Sequence, residues 1–415
     1  MPNQLAQYQL VADKVLDILE STLAFSGMVN MRYGAEWAGQ KFGPTLQVER
    51  PSRFTIRTGD AVALQNIVQP TILLTVQPVF GVDVPIGSSE MAMLLGNKFT
   101  DWDAKVGEPA ASQLATSFEQ NIAALNNLFY NHVGVPGANP AVLADIAAPQ
   151  RRLDDENVPR LGRAGVLNPG AHWSLVGTAG GLTGNFVQPV IDAVETRATL
   201  KIPLLGLSNG LSMSQVACTH TCGTMAGAPT ITVANQQGTT FLTTGWTAGS
   251  TLSVGDVVTF AGVNAVNPQT RRSTGVLRQF VVAALATADG AGNMTITVLN
   301  PLNPPIGGVD QQFQTVDAMP AAGAVVAVPT AGAAFARSGL TQQESMVFHR
   351  DAILVVTLPQ PEFPGAYFCT QRDYKGINYR VWIDGDIRNN QAIMRLDILA
   401  AFGVGNREAC VRMTS

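Results

Sequence analysis

Charge is what this 415-residue chain has least of. Asp, Glu, Lys and Arg together make up 13 % of it, about half the roughly 25 % usual in soluble globular domains. A disordered chain is rich in charge and poor in aliphatic residues; this one is 46 % hydrophobic, so whole-chain disorder is excluded. A basic excess is lacking as well. The net charge of −4 argues against a nucleic-acid-binding domain, because neutralising phosphates takes clustered Lys and Arg. Long apolar runs are missing: Thr71–Pro78 and Ala321–Phe335 are short or broken by Gly and Pro, and neither reaches the roughly 18 residues of a membrane helix. Four cysteines make no disulfide framework, and a reducing compartment fits them best. The start, MPNQLAQYQLVADKVLD, has no basic-then-apolar run of a signal peptide. A chain of this size with so few charges and no membrane segment is expected to cover much of its surface with other subunits.

What is present falls into blocks. Gln4–Phe25 carries apolar residues at three- and four-residue steps, which predicts an amphipathic helix. Thr45–Ile86 is β-branched with Pro and Gly, and predicts two long strands joined near Thr58-Gly59-Asp60. Arg50, Arg53 and Arg57 line the first of them. Pro109 opens the strongest helical pattern, with Leu114, Phe118, Ile122, Leu125 and Phe129 on one face and Asp101, Asp103 and Glu108 before its positive end. Further helices are predicted over Pro140–Leu153 and Phe186–Ala198. After Lys201 the composition changes: no charged residue occurs between Ile202 and Gly255, and short alternating runs such as TITVAN, TTFLTT and NMTITVL predict a small all-β barrel or sandwich. QQESMVFHRDAI after Gly339 reads as a weak helix, and the tail from Ala352 onward reads as strands again. The order amounts to an α+β body interrupted by a β module.

Chemistry is sparse. Gly206-Leu207-Ser208-Asn209-Gly210 matches a nucleophile elbow, but no helix follows, the next acid is Asp256, and the later bases are His220 and His349. A Gly-containing turn is the better reading of Ser208. Cys218, His220 and Cys222 alternate, so a strand would project all three from one face with ligands suited to zinc; the fourth ligand is missing, and buried thiols beside a histidine are the simpler account. Asp384-Gly385-Asp386 with Asn389 and Asn390 reads as a tight turn and not a calcium loop, because Arg388 holds a ligand position. Gly180-Gly181 and Gly184 lack dinucleotide-binding spacing. Asp154-Asp155-Glu156 and Arg271-Arg272 read as solvated turns or as a subunit-contact pair.

At Gly255–Val263 (GDVVTFAGV) the sequence resembles the insertion domain of the major capsid proteins of short-tailed Salmonella phages. Arg163–Pro169 (RAGVLNP), FHRDAILVVTLPQPEFPGAYF and IDGDIRNNQAIMRLDILAAFGVGNREACVRM resemble other segments of that family in the same order. The resemblance implies a Hong Kong 97-type capsid fold, α+β, with an inserted all-β barrel. It implies an N-terminal arm over 1–44, an extended hairpin loop over 45–90, a peripheral domain with a spine helix over 91–139, an axial domain from 140 to 217, the inserted barrel over 218–337 and C-terminal strands over 338–415.

The same resemblance implies a major capsid protein without catalytic activity, cofactor or metal. It would form pentamers and hexamers in an icosahedral head shell, through a procapsid that a scaffolding protein helps build in the host cytoplasm and that expands on DNA packaging. Portal and decoration proteins are the other expected partners, and the shell would enclose double-stranded DNA without reading its sequence. Arg50, Arg53, Arg57, Arg271 and Arg272 are the expected contacts to acidic groups of a neighbouring subunit. The chain departs from the family between TITVAN and VTFAGV, where it is shorter, and in having no lysine between Lys41 and Lys98, which speaks against lysine crosslinking. A serine hydrolase acting through Ser208 is the alternative.

Overall fold

The computed structural model describes residues 24–33, 45–56, 59–60, 69–87, 106–177, 206–216, 218–305, 312–374 and 376–414, with positions 62, 64 and 67. Most of the expected helix over Gln4–Phe25, all of that over Phe186–Ala198, the glycines 180, 181 and 184, and Arg57, Asp101 and Asp103 lie outside the described residues. The chain forms two compact units: Met1–Val48 with Ile72–Ile122 and Ile353–Gly403, and Glu49–Thr71 with Ala123–Ala352 and Val404–Ser415.

In the first unit, Phe368–Tyr374, Ile377–Asp386, Gln391–Ile398 and Phe80–Gly87 form an antiparallel sheet in that order. Gly81 is required there, because a Cβ would come within 2.2 Å of the Leu396 carbonyl oxygen. Helix α1, Glu108–Ala123, begins with an acid at its positive end and Pro109 in its first turn, where the missing N–H costs no helical bond. Its predicted apolar face is buried at Leu114, Phe118 and Ile122. The Phe118 ring lies 5.3 Å from that of Phe402 and 6.4 Å from that of Phe80. Thr45–Glu49 pairs with Thr71–Thr75, and Leu46, Val48 and Leu74 pack on Leu354, Val356 and Ala401. The predicted long hairpin is therefore short: its second long strand, Phe80–Gly87, joins a different sheet, and the described residues between 50 and 70 form no strand.

One buried acid ties the start of the described chain to α1. The Glu119 carboxylate accepts N–H bonds from Phe25 at 2.9 Å and from Ser26 at 3.2 Å, and burial nevertheless raises its pKa to about 7. Because the folded value exceeds the unfolded one, this group favours folding below about pH 4.5, and that stability is lost as pH rises through about 7. Glu119→Gln is expected to remove a contribution of about 3 kcal/mol to the pH slope; urea midpoints of both proteins between pH 4 and 8 check it, and parallel slopes would refute it.

In the second unit a six-stranded sheet runs in the order Asn131–Val133, Cys410–Thr414, Thr341–His349, Arg163–Leu167, Leu211–Met213, with Cys218–Thr221 pairing the first half of Thr341–His349. The helix expected over QQESMVFHRDAI is thus a central strand. Its residues from Glu344 to His349 are buried in succession, so no alternation marks it as β. Helices α2, Leu143–Asp155, and α3, Pro169–Gly177, belong to this unit. Between 227 and 327 two three-stranded sheets are joined at both edges by bridges from Thr230 to Val325 and from Val282 to Val298. The result is a closed barrel filled by Phe241, Phe260, Phe280, Ile296 and their neighbours, the β module that the alternating runs predict. The strand entering the barrel, Cys218–Thr221, lies against the strand leaving it.

Candidate functional site

Two places in the second unit carry unusual chemistry: the 50–70 segment with the turn beneath it, and the stem of the barrel. Pairing of Arg50 N–H with the Pro70 carbonyl at 2.9 Å and of Gln69 with Glu49 closes the segment at its base. Beyond the base it presents Phe54, Ile56, Val62, Leu64 and Ile67 to solvent, Ile56 at 97 % and Leu64 at 83 %. Scattered exposed apolar residues are ordinary, but these five lie on one segment of a low-charge chain.

The arginines at the base find their partners in the turn before the last strand. Arg50 Nη2 donates to Asn406 Oδ1 at 2.7 Å, and Arg53 forms an ion pair with Glu408. Arg271, at a left-handed φ of 56°, donates to the Gln314 carbonyl at 3.3 Å. Arg272 is exposed. Burial holds the Arg271 guanidinium below its ordinary pKa, and the charge of Arg53 acts in the same direction. Burial and Arg50 do the same to Arg407, which no sequence pattern singles out. The Glu408 carboxylate thus pairs with Arg53 and its charge also acts on Arg271, while Arg407 feels the charge of Arg50.

The expected acidic turn is solvated at Asp154, which is exposed, and buried at Glu156. Asp154 pairs with Arg163 at 2.7 Å and with Arg160 at 3.0 Å. Glu156 is buried against Arg278 at 2.7 Å, and that guanidinium stacks 4.4 Å over the Tyr130 ring. The Glu156 contact is internal and joins residues 122 positions apart, which is why the local reading missed it.

At the stem, Cys218, His220 and Cys222 do face inward while Thr219 and Thr221 face out, as their alternation predicts. His220 Nε2 lies 2.9 Å from Asp256 Oδ1, and Nδ1 lies 2.9 Å from Asn127 Oδ1. Asp256 also accepts from the Gly223 and Ser253 N–H groups at 3.1 and 2.7 Å. Ligand atoms of His220, Cys222 and Asp256 lie within 4.8 Å of one another, so these three, and not Cys218, are the residues that could hold a metal. Cys218 Sγ instead meets Met346 Sδ at 3.5 Å. Burial, with Asp256 next, pushes the Cys222 thiol up to about 12, and as a thiol it donates to the Thr330 carbonyl at 3.3 Å. Glycine at 223 is required, because a Cβ would meet the Thr251 carbonyl oxygen at 2.2 Å.

Close by, Arg412 Nη2 donates to the Gly255 carbonyl at 2.7 Å, and its Nη1 is 3.5 Å from Glu344 Oε2, both side chains fully buried. Burial, and next the charge of Arg412, hold the neighbouring His132 neutral, with a pKa near 3. The folded value lies below the unfolded one, so the stability tied to neutral His132 is present above about pH 6.5 and is lost as pH falls towards about 3. His132→Gln is expected to flatten acid destabilisation over that window by several kcal/mol, read from thermal midpoints at pH 4 and 7.

Ser208 does no such chemistry. Its hydroxyl accepts the Gly162 N–H at 2.7 Å, and His349 Nε2 is engaged by the Leu161 carbonyl at 2.9 Å. The hydroxyl holds a glycine turn, with Gly206 and Gly210 at positive φ, and among the described residues no base is hydrogen-bonded to it. Asp384 to Asp386 end a paired strand and Ile387 to Asn390 are the turn to the next, closed by Asp386 accepting from the Arg388 N–H at 2.9 Å.

A family model described as P22 coat protein, gene protein 5, matches residues 2–414. No curated protein matches the chain. Among solved structures it is similar to one of Mycobacterium phage Che8, with a TM-score of 0.46, 11 % identity, and coverage of 94 % of this chain and 90 % of that one. The capsid structure of cyanophage P-SCSP1u gives 0.40 and 12 %, covering 90 % and 84 %. The CUS-3 coat protein I-domain gives 0.20 and 24 %, covering 25 % of this chain and 96 % of that one.

Proposed function

The chain belongs to the P22 coat protein family, and from that premise we propose how it builds a phage head. As a member it is a structural coat protein of the virion shell with the Hong Kong 97-type fold, and not an enzyme, which removes the Ser208 hydrolase alternative. Our reading is that copies close into pentamers and hexamers of an icosahedral shell. Assembly in the host cytoplasm passes through a scaffold-assisted procapsid that expands as double-stranded DNA enters through a portal, and a decoration protein can bind outside. We assign 1–44 to an arm, 45–90 to an extended loop, 91–139 to the peripheral domain, 140–217 and 338–415 to the axial domain with C-terminal strands, and 218–337 to the insertion.

The observation that carries the reading is the family match over residues 2–414. Physical support comes from the 50–70 segment, whose exposed Phe54, Ile56, Val62, Leu64 and Ile67 need a neighbour to cover them. Arg50, Arg53, Arg57, Arg271 and Arg272 are the proposed polar contacts of that interface. The low overall charge fits an inner wall that encloses DNA without gripping it. Expression of the chain with its scaffolding protein is expected to give closed shells by negative-stain electron microscopy that sediment far faster than free subunits; a compact monomer at high concentration, with or without scaffold, would overturn the reading.

A further inference from the structure

The charges at the base of the 50–70 segment do not balance within one copy. Arg50, Arg53, Arg271 and Arg407 outnumber the two carboxylates there, Glu49, which is bonded to Gln69, and Glu408, which is paired with Arg53. Arg271 and Arg407 each bury an Nε atom that has no hydrogen-bond partner among the described residues. Arg271 also keeps a left-handed backbone at φ 56°, a conformation that a non-glycine residue holds at a cost and most often at a functional position. A pair of guanidiniums with unused donors fits a carboxylate.

The segment that delivers Arg50 and Arg53 also carries such a group. Asp60 follows Gly59 at the bend, is exposed, and is the only charged residue between Arg57 and Asp83. Among the described residues it has no hydrogen-bond or ion-pair partner. Apolar side chains accompany both ends: Val62 and Leu64 near Asp60, Phe54 and Ile56 near the arginines. Water excluded by such neighbours strengthens a charge pair. The segment is therefore basic and apolar at its base and acidic and apolar at its bend.

Resting on the coat-protein reading, we propose that Asp60 of one copy docks against Arg271 and Arg407 of the next. Each copy then gives a carboxylate and receives one, a head-to-tail contact that closes when the subunits form a ring. A second copy fits better than nucleic acid, because a phosphate would fill the arginines and leave Asp60 and the apolar residues beside it unmatched.

Charge reversal tests this in the full-length chain. Asp60→Arg alone, and Arg271→Glu with Arg407→Glu, are each expected to raise the concentration at which shells form, read by sedimentation, about tenfold or more. Combining all three substitutions is expected to bring it back to within a few-fold of wild type. Asp60 is exposed, so Asp60→Arg should leave the melting of unassembled chains unchanged. Shells from Asp60→Arg at the wild-type concentration, or a combined variant no better than its worse parent, would overturn the pairing while the coat reading survives. Binding of a double-stranded DNA oligonucleotide that is lost in Arg271→Glu/Arg407→Glu would overturn it too, assigning the cluster to phosphate. Failure of the wild-type chain itself to form shells would remove the coat reading.

Discussion

Arg412→Ala is expected to destabilise the folded chain by about 3–5 kcal/mol, the cost of breaking a buried ion pair from one side. Arg412 lies on the strand between Asn131–Val133 and Thr341–His349, with its side chain fully buried. Its guanidinium is 3.5 Å from Glu344 Oε2, and Nη2 donates to the Gly255 carbonyl at 2.7 Å. Removing it would leave the Glu344 carboxylate buried with Asn126 Nδ2, at 3.0 Å, as its remaining polar contact, and would free a carbonyl at the entry to the barrel strand Val257–Val266. The partner is as informative as the residue. Arg412→Met combined with Glu344→Met removes both charges and keeps the volume, and such replacements are often neutral or stabilising. The double variant should therefore unfold at a higher urea concentration than Arg412→Ala. A single variant within 1 kcal/mol of wild type would mean that the pair is hydrated and not buried.

The same residues show where sequence reading reached and where it stopped. Alternation made the barrel legible, because a strand with one face on a core repeats every two residues, as in Met294–Leu302. It also placed Cys218, His220 and Cys222 on one face, but not Asp256, which reaches His220 from 36 positions away. The strand Thr341–His349 was hidden for the opposite reason: with both edges paired it is buried continuously from Glu344 to His349, and its Gln and Glu residues imitate a helix. α1 could be read from its acid, its proline and its apolar spacing together. Arg50 and Arg53 drew notice as a cluster, whereas Arg407 and Arg278 are single charges whose roles come from neighbours such as Arg50 and Glu156, far off in the chain. The exposure of the 50–70 segment was legible only as a shortage of charge across the whole chain; which residues carry it required coordinates.

That segment bears the largest functional prediction. Ile56, Leu64 and Ile67 contribute little to the fold of a single copy, with Ile56 at 97 % exposure and Ile67 at 75 %. Changing all three to serine should move the urea midpoint of unassembled chains by no more than surface substitutions usually do, roughly 0.5 kcal/mol each. Buried under a neighbouring subunit, each side chain would contribute about 1.5 kcal/mol or more. Three of them together correspond to about a thousandfold in the association constant of one contact, and a closed shell repeats that contact in every copy. The triple variant is therefore expected to remain as free subunits at concentrations where the wild-type chain sediments as shells. Urea unfolding and sedimentation velocity on the same preparation separate the two effects. Shells at the wild-type concentration would show that this run of apolar residues faces solvent in the particle as well, and a fall in monomer stability as large as the loss of assembly would show that it belongs to the core of one copy.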